Sequence, residues 1–374
     1  MRYTRQSMNT TLNHISQGRG EQVSATKATL ILLGLDVHAD HYSVVRKRDG
    51  QLPQPPQKLT PSAFLEWMGR QQAQAERVIA CYEAGPLGFG LARALSARGV
   101  TCYVIAPQNL DERHQRVKTD GRDATALVGR LDRFVHGNRE ALAVVRVPTP
   151  EEEQRRSQAR LRQALQRHRQ RLEAQGRGYL LYYGLRVRGR WWRAATWTKC
   201  TPQWPAHLVA LLTPLRAVVL ATDQQLRATS QAVSAGAPTA LPVGVGALTA
   251  ALLEREVCDW RRFGNRREVG SYCGLCPSEN SSGPRRRQGA ITKHGHRQMR
   301  ALLIELAWRL VRFQPQYRGV RKWAAVLLVP GASAARRKKA IVALARQLAV
   351  DLWRLASGRV SATQLGLTLK EVGA

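Results

Sequence analysis

The chain has 374 residues, enough for two packed domains, and its 44% hydrophobic content excludes a disordered basic tail. Lysine and arginine number 59 against 26 aspartate and glutamate, a formal net charge of +33. That imbalance points to nucleic acid, because neutralising phosphates releases counterions and gives strong, salt-dependent binding. An anionic membrane fits less well, since the cations are spread along the chain rather than gathered on one amphipathic helix.

Residues 1–28 are polar and read as a flexible basic tail lacking the apolar segment of a signal peptide. Residues 29–37 form a short apolar, β-rich run containing Asp36, and residues 42–45 follow as a second strand. Asp49-Gly50 is a hairpin-turn pair. Thr60-Pro61 supplies a cap and a first-position proline for a helix carrying Phe64, Leu65, Trp67 and Met68. Residues 77–82 are the next strand, with Glu83 at its end. A Gly85-Pro86-Leu87-Gly88 turn then enters a helix through Leu91 and Leu95. Residues 100–106 make another strand, closed by Pro107. Asp120 and Asp123 open a helix containing Ala126, Leu127, Leu131 and Phe134. A hairpin followed by strand–helix alternation predicts a mixed α/β sheet with helices on its faces.

In so basic a chain, acids at strand ends and in a helix first turn stand out. Any one of them reads as a surface charge or a cap. Together, Asp36, Glu83, Asp120 and Asp123 read as a divalent-metal site facing phosphate, because hard cations such as Mg²⁺ prefer carboxylate oxygens. Asp120 and Asp123, three apart, share one helix face.

The segments GLDVHAD, YEAGPLGFGLARAL and KTDGRDATAL resemble the RuvC-like, ribonuclease H-fold domain of DEDD-type transposases, insertion-sequence recombinases guided by a bridge RNA. The resemblance implies that Asp36, Glu83, Asp120 and Asp123 are the metal-binding acidic tetrad, with Mg²⁺ as cofactor.

Further on, Glu151, Glu152 and Glu153 place negative charge at a helix start, where the macrodipole favours it. Leu161, Leu165 and Leu172 then recur at helical spacing among arginines. This stripe reads either as a solvated helix or as a dimeric coiled coil; the resembled family has a coiled-coil segment here, which favours pairing. Arg186, Arg188, Arg190 and Arg193 interleave with Trp191 and Trp192, and Trp197 follows. Indoles stack on unpaired bases and guanidinium groups hold phosphates, so these residues are a candidate RNA contact; the alternative is a surface loop with its tryptophans in the core. Gly244 and Gly246, in a Pro-x-Gly-x-Gly turn opening a helix, read as a helix-hairpin-helix-like phosphate contact or as a tight structural turn.

Cys273 and Cys276, with His294 and His296 downstream, outline a zinc site only weakly. All six scattered cysteines fit reduced thiols in a cytoplasm. The segment from 263 to 308 resembles the C-terminal transposase domain of the same family, whose hallmark is a serine before glycine in a basic loop. Ser282-Gly283 matches best, with Ser281 as the alternative. By that resemblance Ser282 is the nucleophile, and Arg285, Arg286, Arg287, Lys293 and Arg297 offset charge on phosphorus. The final helix, from about Arg336, opens with four cations, which fit phosphate contact or a solvated end. The longest purely apolar runs, residues 324–330 among them, fall far below the roughly 20 residues of a membrane span.

The expected architecture is therefore a tail (1–28), an α/β RuvC-like domain (29–145), a helical, coiled-coil and RNA-contact middle (146–235), a mostly α-helical serine transposase domain (236–330) and a basic C-terminal helix (331–374). The resemblance implies an RNA-guided DNA recombinase in the bacterial cytoplasm, at the nucleoid. Its partners would be double-stranded donor and target DNA, a structured guide RNA and further copies of itself, as a homodimer assembling to a tetramer. A metal-dependent junction-resolving nuclease and a non-catalytic nucleic-acid-binding protein are the competing functions.

Overall fold

A ten-residue apolar strand, β1 (Ala28–Val37), runs through the middle of the first of two units, residues 1–147 and 148–374. The structure is a computed structural model and describes residues 27–107, 120–280, 285 and 287–371. On one side of β1 lie β2 (Tyr42–Arg48) and β3 (Gln57–Leu59), antiparallel to their neighbours. On the other lie β4 (Ala75–Glu83) and β5 (Thr101–Ile105), parallel to it, giving the order β3-β2-β1-β4-β5. α1 (Pro61–Gln74) joins β3 to β4, α2 (Gly90–Ser96) joins β4 to β5, and α3 (Asp120–Val135) follows. The mixed α/β expectation is met.

Local chemistry fixes these boundaries. Thr60 caps α1 by accepting from the Ala63 amide at 3.3 Å, and Pro61 occupies its first turn. Asp49 and Gly50 both adopt positive φ, 42° and 74°, and the Asp49 carboxylate accepts from the Leu30 amide at 2.8 Å, tying the turn to β1.

Alternation along β1 sorts its side chains between two cores. Ile31, Leu33 and Leu35 pack with Phe64, Met68 and Leu95 beneath α1 and α2, while Leu32 packs with Leu127, Val128 and Leu131 of α3. Gly34 is on the α3 side. A Cβ there would lie 2.3 Å from the Ala124 carbonyl oxygen and 2.6 Å from the Val128 nitrogen. Only glycine lets α3 settle so closely on the strand.

The second unit begins with α4 (Pro150–Tyr182), a 33-residue helix closed at its start by a reciprocal capping box between Thr149 and Glu152. After α5 (Ala194–Cys200), α6 (Ala206–Ser234) returns antiparallel to α4: Arg162 donates to Ser230 at 3.0 Å and Arg169 to Asp223 at 2.7 Å. Within the chain the leucine stripe of α4 is covered only in part, with Leu172 packed against the core that holds Leu180. Leu161 is exposed, while Ala159, Gly176 and Leu180 are buried. A buried ion pair also holds α6 to α4, since Asp223 is 4% exposed and needs Arg169 and Arg227, each at 2.7 Å. Among the described residues α6 is the one helix long and apolar enough, by length and composition, to cross a membrane, although no purely apolar run approaches that length. It carries Pro214 and this buried carboxylate, and it leaves Leu211 and Val218 exposed.

The rest of the unit comprises β6 (Ala240–Pro242), α7 (Ala247–Val257), α8 (Arg266–Tyr272), β7 (Pro277–Glu279), β8 (Gln288–Ile291), α9 (Arg297–Phe313), α10 (Arg318–Arg321), α11 (Ala324–Leu327), α12 (Ala334–Ala356) and β9 (Leu369–Glu371). Leu303, Leu306 and Leu310 of α9 share one core with Ile341, Leu344 and Leu348 of α12. The buried Tyr317 hydroxyl donates to Asp351 at 2.7 Å. Gln314 donates to the carbonyls of Val243 and Thr368 and accepts from the Thr368 amide, tying β6 to β9. The final helix is thus part of a shared core.

Gly34→Ala will cost the first unit about 1–3 kcal/mol by overpacking. Hydrogen exchange checks this: protection should fall in peptides from α3 and β1 and stay unchanged in α12.

Candidate active site and nucleic-acid interface

The first site is built at the carboxyl ends of two parallel strands. Leu35 of β1 pairs with Tyr82 of β4, so the next rung carries Asp36 and Glu83. Alternation assigns both to the α3 face, since Leu32, Cys81 and Ile79 point into the core beneath that helix. α3 begins with Asp120 and Asp123 in its first turn, and its Ala124 rests on Gly34, two residues before Asp36. Sheet register and helix packing thus bring all four acids to one end of the sheet.

Two histidines in the β1–β2 turn complete the cluster. His38 Nε2 lies 3.3 Å from Asp36 Oδ2 and 3.8 Å from Asp120 Oδ1; His41 Nε2 lies 3.5 Å from Asp120 Oδ2. The two rings stack with centroids 4.9 Å apart, and Lys58 of β3 brings its ammonium 3.5 Å from Asp120. Asp120 is held below the usual aspartate range, by the His41 ring first and then by His38 and Lys58. It is therefore an ionised carboxylate throughout the neutral range. Sequence reasoning missed the histidines, although the spacing Asp36-x-His38-x-x-His41 carries the signal: two apart in extended chain, Asp36 and His38 project to the same side.

This donor set fits a divalent cation. Asp36 and Asp120 each place a carboxylate oxygen within 3.8 Å of His38 Nε2, and His38, His41 and Asp120 offer ligand atoms within 4.8 Å of one another. His41 Nε2 is buried without an aligned hydrogen-bond partner, as a nitrogen waiting for a ligand would be. Oxygen donors suit Mg²⁺, and imidazole nitrogens extend the set toward Mn²⁺ and later metals.

Ser282, its alternative Ser281, and Arg286 lie outside the described residues. The strands β7 and β8 on either side pair antiparallel. Arg285, Arg287, Lys293 and Arg297 are exposed, so their charges are open to a polyanion. Lys293 holds a left-handed φ of 58°, and Arg297 opens α9 behind a His296 cap.

The interleaved arginine–tryptophan segment divides. Trp191 is 0% and Trp192 1% exposed, in a core with Leu180, Leu208 and Leu212. The Trp191 indole donates to the Glu173 carbonyl at 2.9 Å and occupies the space a Cβ on Gly176 would need. The expectation that these rings stack on bases is therefore corrected: burial drives them inward. Arg186, Arg188 and Arg193 remain exposed. Arg190 and Arg193 line a shallow cavity of about 520 Å³ together with Arg162, Arg169 and Arg227.

Gly244 and Gly246 do not sit in a helical hairpin. They link strand β6 to α7, with Gly246 as its cap, and Gly244 takes φ +90° beneath Phe313 while its carbonyl accepts from Arg309 at 2.5 Å. The tight structural turn is what they form. Among the described residues no metal-ligand set surrounds Cys273, whose thiol is buried against Met299 and pushed up to about 12 by that burial. His296 instead approaches Glu256 at 2.8 Å.

Comparison with known proteins fits this geometry. Residues 242–321 match the model described as Transposase IS116/IS110/IS902 family. The Sinorhizobium fredii protein y4rJ, named a putative transposase, is 32% identical over 327 residues, covering 79% of this chain and 82% of its own. A second protein of that organism, y4qE, with the same description, is 32% identical over 316 residues, 76% of each chain. The transposase for insertion sequence element IS1111A of Coxiella burnetii is 27% identical over 278 residues, 70% of this chain and 73% of its own. The class is thus that of the transposases. The chain belongs to the IS116/IS110/IS902 transposase family.

In metal-free protein, carboxyl NMR will place the Asp120 midpoint below 3.8, and His41→Ala will raise it. Trp191→Ala will destabilise the α4–α6 end by about 3–5 kcal/mol through the cavity it leaves, measured by hydrogen exchange there, with nucleic-acid affinity unchanged in conditions where the unit stays folded.

Proposed function

We propose that the chain is an RNA-guided DNA recombinase that mobilises an insertion sequence by cutting and rejoining DNA. The observation that carries the reading is the approach of both Asp36 and Asp120 to His38, with Glu83 on the rung beside Asp36, in a chain of net charge +33. The sheet order β3-β2-β1-β4-β5, with β4 and β5 parallel to β1, supports a RuvC-like, ribonuclease H-type domain. The family match over 242–321 and its named relatives support transposition as the activity and DNA as the substrate.

Asp36, Glu83, Asp120 and Asp123 would hold Mg²⁺, with His38 and His41 beside them. A divalent cation bound there supplies Lewis-acid stabilisation of charge developing on phosphate oxygens. Ser282 Oγ attacks a scissile phosphorus; the serine O–P bond forms as the bond to a deoxyribose oxygen breaks, and that oxygen leaves as a hydroxyl. Attack by another DNA hydroxyl restores Ser282 and makes the new junction. One phosphodiester is exchanged for another, so no external energy source is required. The neighbouring cations Arg285, Arg287, Lys293 and Arg297 offset the pentacoordinate charge. Specificity is delegated to pairing with a structured RNA, and the exposed Arg186, Arg188 and Arg193 suit its backbone. Exposed Leu211 and Val218 on α6 supply an apolar face for pairing subunits into the dimer and tetramer.

Asp36→Asn and Glu83→Gln should each lower strand joining at least a thousandfold, as removal of divalent metal should, while DNA affinity is retained. On a nicked suicide substrate the wild-type chain should trap a covalent protein–DNA adduct that Ser282→Ala cannot form. Normal joining by Ser282→Ala would overturn the serine mechanism, and cutting without an adduct would indicate a hydrolytic nuclease.

A further inference from the structure

The second unit contains a cleft of about 1230 Å³ between α8, β8, α10 and α12, larger than the roughly 300–1,000 Å³ of small-molecule sites. Cations line it from separate elements: Arg266 and Arg267 open α8, Arg318 and Lys322 flank α10, and Lys338, Lys339 and Arg346 lie along α12. Among the described residues, no carboxylate lines it. Among the described residues, none of those seven has an ion-pair partner; only Arg354, deeper in, is paired, with Asp351 at 3.3 Å.

Arg346 is the most telling of them. It is half-buried, and its Nε lies 3.3 Å from where a Cβ on Gly270 would stand, so the glycine leaves α8 open for the guanidinium to lie across it. A desolvated cation without a counter-charge is unfavourable, and crowding further cations around it adds repulsion. An anion in the cleft removes both costs. The remaining lining is apolar and aromatic, including Trp323, Val342 and Leu275, with Lys322 5.1 Å from the Trp323 ring centroid. Charges spread over several elements and interleaved with apolar wall do not converge on one small anion. They match a strand whose phosphates alternate with apolar sugar and base faces.

We propose that this cleft is a nucleic-acid channel that holds the sugar–phosphate backbone of one strand of the complex. The inference rests on the nucleic-acid reading above and adds the path: the cleft is walled by Pro277 of β7 and by β8, the strands on either side of the Ser282 segment in sequence. DNA and guide RNA share this backbone chemistry, and experiment separates them.

The test uses the full chain with Arg318, Lys322, Lys338 and Lys339 all changed to Gln; all four are exposed, and thermal melting confirms that the fold is kept. A control changes the exposed Arg70, Arg77, Arg98 and Arg139 of the first unit to Gln. Fluorescence anisotropy against NaCl concentration is read with single-stranded DNA, duplex DNA and RNA of about 30 nucleotides. Each lost phosphate contact lowers the salt slope by about 0.7–0.9, so the cleft variant should lose about three from its slope and at least tenfold in affinity. A loss confined to DNA or to RNA supports the channel and identifies its occupant. Binding of all three probes indistinguishable from that of the control variant overturns it. Strand joining is scored separately on the wild-type chain: binding through the cleft without joining would sink the recombinase reading and leave the channel standing.

Discussion

The close packing of α3 on β1 at Gly34 is the constraint on which the acidic cluster depends. A strand end and a helix start lie at the same place only if the helix reaches the sheet near that end. The missing Cβ allows the Ala124 carbonyl and the Val128 amide to approach the strand directly. Asp36, two residues further along β1, then meets the first turn of α3 through His38. Parallel pairing of β4 with β1 adds Glu83 on the neighbouring rung. Packing that buries Leu32, Leu127 and Leu131 thus also assembles a polar site, because the strands run out of core at that edge.

Electrostatics explains why so few acids suffice. Lys58, His38 and His41 crowd Asp120 and keep its carboxyl ionised, so the site stays anionic inside a strongly cationic protein. The acid buried in the second unit at Asp223 is neutralised by arginines and holds α6 against α4. The carboxylates therefore divide by partner. Asp36 and Asp120 meet histidine beside a strand end, whereas Asp223 and Asp351 are buried against arginines and are structural.

In the second unit the same division separates buried from open cations. Arg169 is tied to its carboxylate, while Arg346 and the cations around it face a cleft without one. The surface of a polyanion-binding protein is legible in this asymmetry: charge without a partner inside the chain marks where the partner outside it belongs.

Local sequence determined the elements of the first unit, because their signals act over a few residues: the Thr60-Pro61 cap, the Asp49-Gly50 turn, and the apolar runs that became β1, β4 and β5. It also placed Asp36 and Glu83 at strand ends and Asp120 and Asp123 in a helix first turn. Family likeness alone pointed to Ser282. What only tertiary structure decided was which neighbours face inward. Trp191 and Trp192 have the spacing of a base-stacking platform, yet the space over Gly176 and the apolar ends of α4 and α6 draw them into a core. The leucine stripe on α4 has a coiled-coil period, but packing against α6 and the Trp191 core decides which α4 residues the chain itself covers: Ala159, Gly176 and Leu180 fully, Leu172 in part. His38 and His41 were in plain view in the sequence, but their proximity to Asp120, a helix start far along the chain, exists only once α3 has packed on β1. Periodicity specifies that a residue is on a face, and long-range packing specifies what that face meets.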